Sequence, residues 1–251
     1  MKMKHALSLI AAAMALLALT VHANAAKLDD RIESSAKKSY VFRTYLQVDD
    51  IRIQSKDGAV TLTGSVSETL HRSLAQETVA GLPGVKVVDN RLEVKGEPPA
   101  ANSDAWLRDK VKVTLLFHNS VRALPTEVEA KDGMVVLRGE AASPAQKELT
   151  TKYAKDVEGV QGIINEMTVA KHPKKPRTLG QKIDDASITA QVKLTLIYNL
   201  SANAHHTKVE AKNGVVTLYG KAANKAEVDL AGKLANDVNG VQIVKNRLAV
   251  E

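Results

Sequence analysis

The sequence contains no cysteine. That excludes disulfides, thiolate-bound metal, a thiol nucleophile and a lipid anchor on cysteine, so stability has to come from packing alone. Aromatic residues make up 3% of the chain, too few to form the stacking platform by which proteins hold single-stranded nucleic acid. Phosphate-cradling GxGxxG or GxxxxGK[ST] spacings, a G-x-S-x-G elbow and an HExxH pair are all missing. No carboxylate pair with catalytic spacing is evident either. An enzyme is not expected, nor a cofactor.

Long apolar runs are equally scarce, with one exception at the start. Lys2 and Lys4 precede an apolar stretch from Ala6 to Val21, followed by Ala23-Asn24-Ala25. A basic head, a short apolar core and a small-x-small end are the pattern of a secretory signal peptide over residues 1–25. The expected product is a periplasmic protein that is not a lipoprotein. The formal charge of +7 falls to +5 without Lys2 and Lys4, a bias that favours anionic surfaces without naming one.

What is present is a threefold repeat. Lys56–Gly64 reads KDGAVTLTG, Lys131–Gly139 reads KDGMVVLRG and Lys212–Gly220 reads KNGVVTLYG. Asp-Gly or Asn-Gly supplies the two positive-φ positions of a type I′ turn, and the alternation that follows is that of a half-buried strand. With Gly64, Gly139 and Gly220 in register, a Gly-Val pair recurs twenty residues on, at Gly84, Gly159 and Gly240. Asn90, Asn165 and Asn246 follow six residues later, and Asp29, Asp104 and Asp185 stand 29 positions before Gly58, Gly133 and Gly214. Three gapless units result, 29–94, 104–169 and 185–250. They are joined by KGEPPAANS (95–103) and by a basic Pro-containing segment (170–184), which read as linkers.

Each unit opens with an aspartate suited to cap a helix or favour its dipole, then apolar residues at helical spacing. These are Ile32, Ala36 and Tyr40; Leu107, Val111 and Leu115; or Ile188, Val192 and Leu196. The hairpin follows. A second helix is expected next, with caps at Ser143 and Asn224 and a buried stripe of Leu74, Thr78 and Leu82; Leu149, Tyr153 and Val157; or Leu230, Leu234 and Val238. Gly84, Gly159 and Gly240 are expected to end it as C-caps. A Val-rich third strand closes the unit. The order αββαβ demands a crossover, so the third strand runs parallel to the second, with both helices on one face of a three-stranded mixed sheet. The fold class is α+β, three tandem domains.

The pattern D-x-x-I/L-x-x-x-V, G-x-V-x-L-x-G, G-V-x-x-V-x-N-x-L-x-V resembles the BON domain, the match being fullest in the third unit through Asp185, Ile188, Val192, Gly214, Val216, Leu218, Gly220, Gly240, Val241, Asn246, Leu248 and Val250. The second unit departs at Gly162 and Met167, and the first in its less apolar opening helix. The resemblance implies a non-catalytic protein of the Gram-negative envelope, associated with phospholipid binding, barrier integrity and osmotic stress. A chaperone-like role toward unfolded clients is the alternative.

The motif glycines Gly58, Gly64, Gly84, Gly133, Gly139, Gly159, Gly214, Gly220 and Gly240 read as structural. The histidines His71, His118, His172, His205 and His206 fall in different columns, and no metal site is expected. The opening helices of the second and third units carry apolar residues on a second side: Val113, Leu116 and Phe117, then Leu194, Ile197 and Tyr198. Lys110, Lys112 and Lys193 lie beside them and Trp106 opens the second helix. Such a face suits an anionic lipid interface or a client protein. It is equally accounted for if the helix ends early or if neighbouring domains bury it.

Overall fold

The computed structural model describes residues 26–95, 100, 103–118, 121, 126–170, 183–200 and 206–251. The expected signal peptide, most of both linkers, His172 and His205 lie outside them.

Domain 1 comprises helix α1 (residues 26–38), α2 (Tyr40–Thr44), strands β1 (Asp50–Lys56) and β2 (Ala59–Val66), helix α3 (Thr69–Ala80) and β3 (Val87–Val94). Domain 2 comprises α4 (Asp104–Phe117), β4 (Glu127–Lys131), β5 (Met134–Arg138), β6 (Glu140–Ala141), α5 (Pro144–Lys155), β7 (Gly162–Asn165) and β8 (Thr168–Val169). Domain 3 comprises α6 (Asp185–Asn199), β9 (Lys208–Lys212), β10 (Val215–Ala222), α7 (Lys225–Asn236) and β11 (Ile243–Val250). In every domain the hairpin strands are antiparallel and the third strand joins the second in parallel, as the crossover requires. In domain 1 the opening helix breaks at Ser39, whose hydroxyl caps α2. The break turns Val41 rather than Tyr40 into the core.

The hairpins turn on Asp57-Gly58, Asp132-Gly133 and Asn213-Gly214, every one of these residues having positive φ, as a type I′ turn demands. Asp29 and Asp185 do more than begin a helix. Asp29 accepts the amide protons of Asp57 and Gly58 at 2.8 and 3.1 Å, and Asp185 accepts those of Asn213 and Gly214 at the same distances. In domains 1 and 3 the spacing of 29 is therefore a latch between helix and turn. The cap of α6 is the preceding Asp184, and Ser103 caps α4.

The asparagine column is a second tie. Asn90, Asn165 and Asn246 each donate Nδ2 to a carbonyl of the second helix, those of Arg72, Lys147 and Val228. Each also accepts, at Oδ1, the amide proton two residues on. Ser143 and Asn224 cap their helices as expected, accepting from Gln146 and Glu227. Two expectations need correction. The C-cap residues are Gly81, Asp156 and Asp237, and Gly84, Gly159 and Gly240 lie three residues beyond, at positive φ in the turn into the third strand. Leu149 and Leu230 are outside the core at 36% and 43% exposure, because α5 turns Thr150 and Ala154, and α7 turns Val228, Ala231 and Ala235, inward.

The domains pack against one another. Domain 2 has its own core around Val111, Leu115, Val135 and Leu137. The cores of domains 1 and 3 fuse into one, into which Val113 and Phe117 of α4 insert. At the centre, α6 packs on α3, α4, α7 and β9, which is why it buries residues on every side. A helix apolar all round is a buried helix.

Candidate functional site

The residues expected to meet lipid or a client lie together, but at the junction of the three domains and not on an open face. Val113, Phe117, Leu194 and Tyr198 are 0, 1, 2 and 6% exposed, and Trp106, Leu116 and Ile197 pack partly buried against the same core. Trp106 stacks on Tyr198 with ring centroids 4.6 Å apart, and Phe117 meets Tyr45 of domain 1 edge-on at 5.6 Å. The lysines are engaged too. Lys112 pairs with Glu68 of domain 1 at 2.7 Å, Lys193 with Glu77 of domain 1 at 2.6 Å, and Lys110 with Glu158 of its own domain at 3.2 Å. The expectation of a free contact surface is thus corrected. Each helix has two apolar sides because it has two partners, its own sheet and the next domain.

Charge runs through this junction. Burial works to raise the Glu68 carboxyl, but the Lys112 ammonium outweighs it and holds Glu68 below its ordinary value. Glu68 is the residue at the N-terminus of α3 and makes no capping bond there, so its side chain ties the domains instead. Asp109 is buried, with Oδ1 accepting from Arg108 at 2.7 and 2.8 Å and Oδ2 unpartnered. Burial raises its carboxyl. Burial, with Asp109 nearby, pushes the Tyr198 phenol up to about 12.

Between domains 2 and 3 lies a cavity of about 180 Å³ lined by Phe117, His118, Tyr153, Leu234 and Asp237 among others. His118 is buried against the Tyr153 ring with Asp237 at 4.0 Å, and burial lowers its pKa. Its neighbour Phe117 accepts the Asn239 amide proton at 2.7 Å through its carbonyl. His71 pairs with Asp49 at 2.6 Å, and His206 is exposed. Among the described residues no group of three or more His, Asp or Glu is placed to hold a metal.

The surfaces left open are the sheets. Strand alternation puts one set of side chains under the helices and the other outward, and the outward sets differ in charge. Domain 1 presents Arg52, Lys56 and Arg91 with Asp50, Asp89 and Glu93. Domain 2 presents Lys131 and Arg138 with Glu127 and Glu129. Domain 3 presents Lys208, Lys212, Lys221, Lys245 and Arg247 with Glu210 as the one acid at an outward strand position, Glu251 following the last strand. This asymmetry is readable from the sequence once the strand register is known; attention to apolar helix faces passed over it.

The BON domain signature matches residues 28–96, 103–171 and 184–251. The chain is similar to the Osmotically-inducible protein Y of Escherichia coli strain K12, 34% identical over 58% of this chain and 71% of that protein. It is 29% identical to the Outer membrane lipoprotein DolP of Haemophilus influenzae over 74% of this chain and 88% of that one. A 21 kDa hemolysin of Actinobacillus pleuropneumoniae is 31% identical over 64% of this chain and 73% of its own. Matched over three consecutive stretches that make up most of its length, and built as the same αββαβ unit each time, the chain belongs to the BON domain family.

Proposed function

We propose that this chain is a non-enzymatic protein of the bacterial envelope, exported to the periplasm, that binds anionic phospholipid membranes and supports envelope integrity under osmotic stress. The observation that carries the reading is the BON domain, found three times in this chain, together with the similarity to one relative named for osmotic induction and to another named as an outer membrane lipoprotein. The formal charge of +5 that remains without Lys2 and Lys4 favours an anionic partner. Among the described residues no helix is long and apolar enough to cross a membrane. Contact through the apolar sides of α4 and α6 would require the domains to part, so binding in the packed state falls to surfaces the junction leaves open. The client-binding alternative drew on the same helix sides, and their burial removes its main support.

Co-sedimentation tests the reading. The protein is expected to pellet with phosphatidylglycerol vesicles and to stay in the supernatant with phosphatidylcholine. Failure to bind either overturns it, and suppression of client aggregation in that case would point to the chaperone-like role.

A further inference from the structure

The three open sheet faces share one backbone and differ in how their charges are balanced. In domain 1, Arg52 pairs with Asp50 at 3.6 Å and Arg91 with Asp89 at 2.6 Å. In domain 2, Arg138 holds both Glu129 and Glu166, at 2.8 and 2.7 Å. Domain 3 has one such pair, Lys208 with Glu210 at 2.7 Å. Among the described residues Lys212, Lys221, Lys245 and Arg247 have no carboxylate partner, and all four side chains are exposed.

The register places these groups in rows across the sheet. Lys212, Val215 and Ile243 form one row; Glu210, Thr217 and Lys245 the next; Lys208, Tyr219 and Arg247 the third. Lys221 stands beside Ala249 at the end. Rows on one face are about 7 Å apart, two residues of strand rise. Tyr219 lies on the central strand, with Lys208 and Arg247 reaching its ring from the two flanking strands, at 5.9 and 5.8 Å from the centroid. At the other end of the face Ile243 is 54% exposed. The result is a cationic surface with an aromatic at its centre and an aliphatic side chain at its margin.

We propose that this outward sheet face of domain 3 is the surface by which the protein docks on anionic phospholipid headgroups. The inference rests on the membrane reading above and gives it a location. Charge complementarity selects the occupant. Four cations without internal neutralisation are drawn to a surface of fixed negative charge, each basic residue near an anionic leaflet being worth about fivefold in partitioning. Tyr219 offers an apolar ring and a polar tip, as a water–membrane boundary favours, and Ile243 can enter the apolar side of that boundary. Because these side chains point away from the helices, the face can meet a bilayer surface without rearrangement of the core behind it.

The test uses the full chain and vesicles of phosphatidylglycerol mixed into phosphatidylcholine. Lys245→Glu with Arg247→Glu is expected to weaken partitioning by at least a hundredfold. Arg52→Glu with Arg91→Glu makes the same change in net charge on the domain 1 face and is expected to weaken it less than tenfold. Lys245→Gln with Arg247→Gln leaves no new acid in the sheet and is expected to cost about twenty-fivefold, so a folding failure of the Glu variant would not hide the effect. If the wild type binds and the domain 3 variants bind equally well, or if the two Glu variants lose equally, the face is not the docking surface while the membrane reading stands. If the wild type binds no vesicle, that reading falls and this inference with it.

Discussion

In domains 1 and 3 the leading aspartate accepts both amide protons of the hairpin turn, whereas the equivalent Asp104 of domain 2 is exposed and has no such bond among the described residues. The sheets differ in the same sense. β2 with β3, and β10 with β11, pair without interruption along strands of eight residues. Domain 2 breaks the equivalent strands into β5 and β6, and β7 and β8. Its departure at Gly162 has a local cause: a Cβ there would stand 2.6 Å from the Met134 sulfur, so the larger Met134 occupies the room that the glycine leaves. Domain 2 thus carries fewer internal ties and sends two α4 side chains, Val113 and Phe117, into the core shared by its neighbours. The same unit can be held from within, by latch and ladder, or from outside, by the packing of its first helix.

The sharpest way to break that comparison is to remove the outside hold. Phe117→Ala deletes a ring that is 1% exposed and touches Tyr45 of domain 1. A truncation of this kind costs about 3–5 kcal/mol. Trp106 is the one tryptophan in the chain and stacks on Tyr198 across the domain boundary, so its fluorescence reads the junction directly. In urea the variant is expected to lose the Trp106 signal before its helical circular dichroism, while the wild type loses both together. Coincident transitions at the wild-type midpoint would mean that α4 does not hold the assembly.

The inside hold is tested by aspartate. Asp185→Ala removes an acceptor used by two turn amides and is expected to cost about 1–2 kcal/mol. Asp104→Ala removes an exposed carboxylate with no such role and is expected to stay within about 0.5 kcal/mol. Thermal denaturation of the two variants decides, and equal losses would erase the distinction between the domains.

The latch shows what sequence could and could not reveal. Turns, strands and crossover were legible because period two, Asp-Gly pairs and gapless repetition are local signals, and the spacing of 29 was visible as a constant. That it is a bond in domains 1 and 3, and none among the described residues of domain 2, is a matter of three-dimensional approach. The helix ends were misplaced because Leu82, Val157 and Val238 continue the apolar spacing although they follow the last helical turn; each is buried, and periodicity alone does not distinguish a helix from a turn packed on the same core. The sites were misjudged for a related reason. A second apolar side on α4 or α6 is the same pattern whether lipid, client or neighbouring domain covers it, and only the structure identifies the neighbour.

The smallest effect concerns pH, and it again separates one domain boundary from another. His118 is buried between domains 2 and 3, near Tyr153, Asp237, Asp156 and Lys233. Burial lowers its pKa from the ordinary 6.5, against an opposing pull from Asp237. The unfolded chain therefore binds the proton more readily, and the stability due to the neutral ring is complete above 6.5 and lost as pH falls from there through the folded value. Asp109 works the other way, since burial raises its carboxyl above 3.8 and acid relieves it. Glu68, held below its ordinary 4.5, keeps the boundary between domains 1 and 2 paired until more acid conditions. On mild acidification the contact between domains 2 and 3 should loosen first. Hydrogen exchange at the Asn239 amide, bonded across that boundary to the Phe117 carbonyl, is expected to quicken relative to the Lys86 amide, which bonds to the Gly58 carbonyl within domain 1, after correction for the intrinsic pH dependence of exchange. His118→Gln should abolish the difference, and a variant that retains it would place the pH response elsewhere.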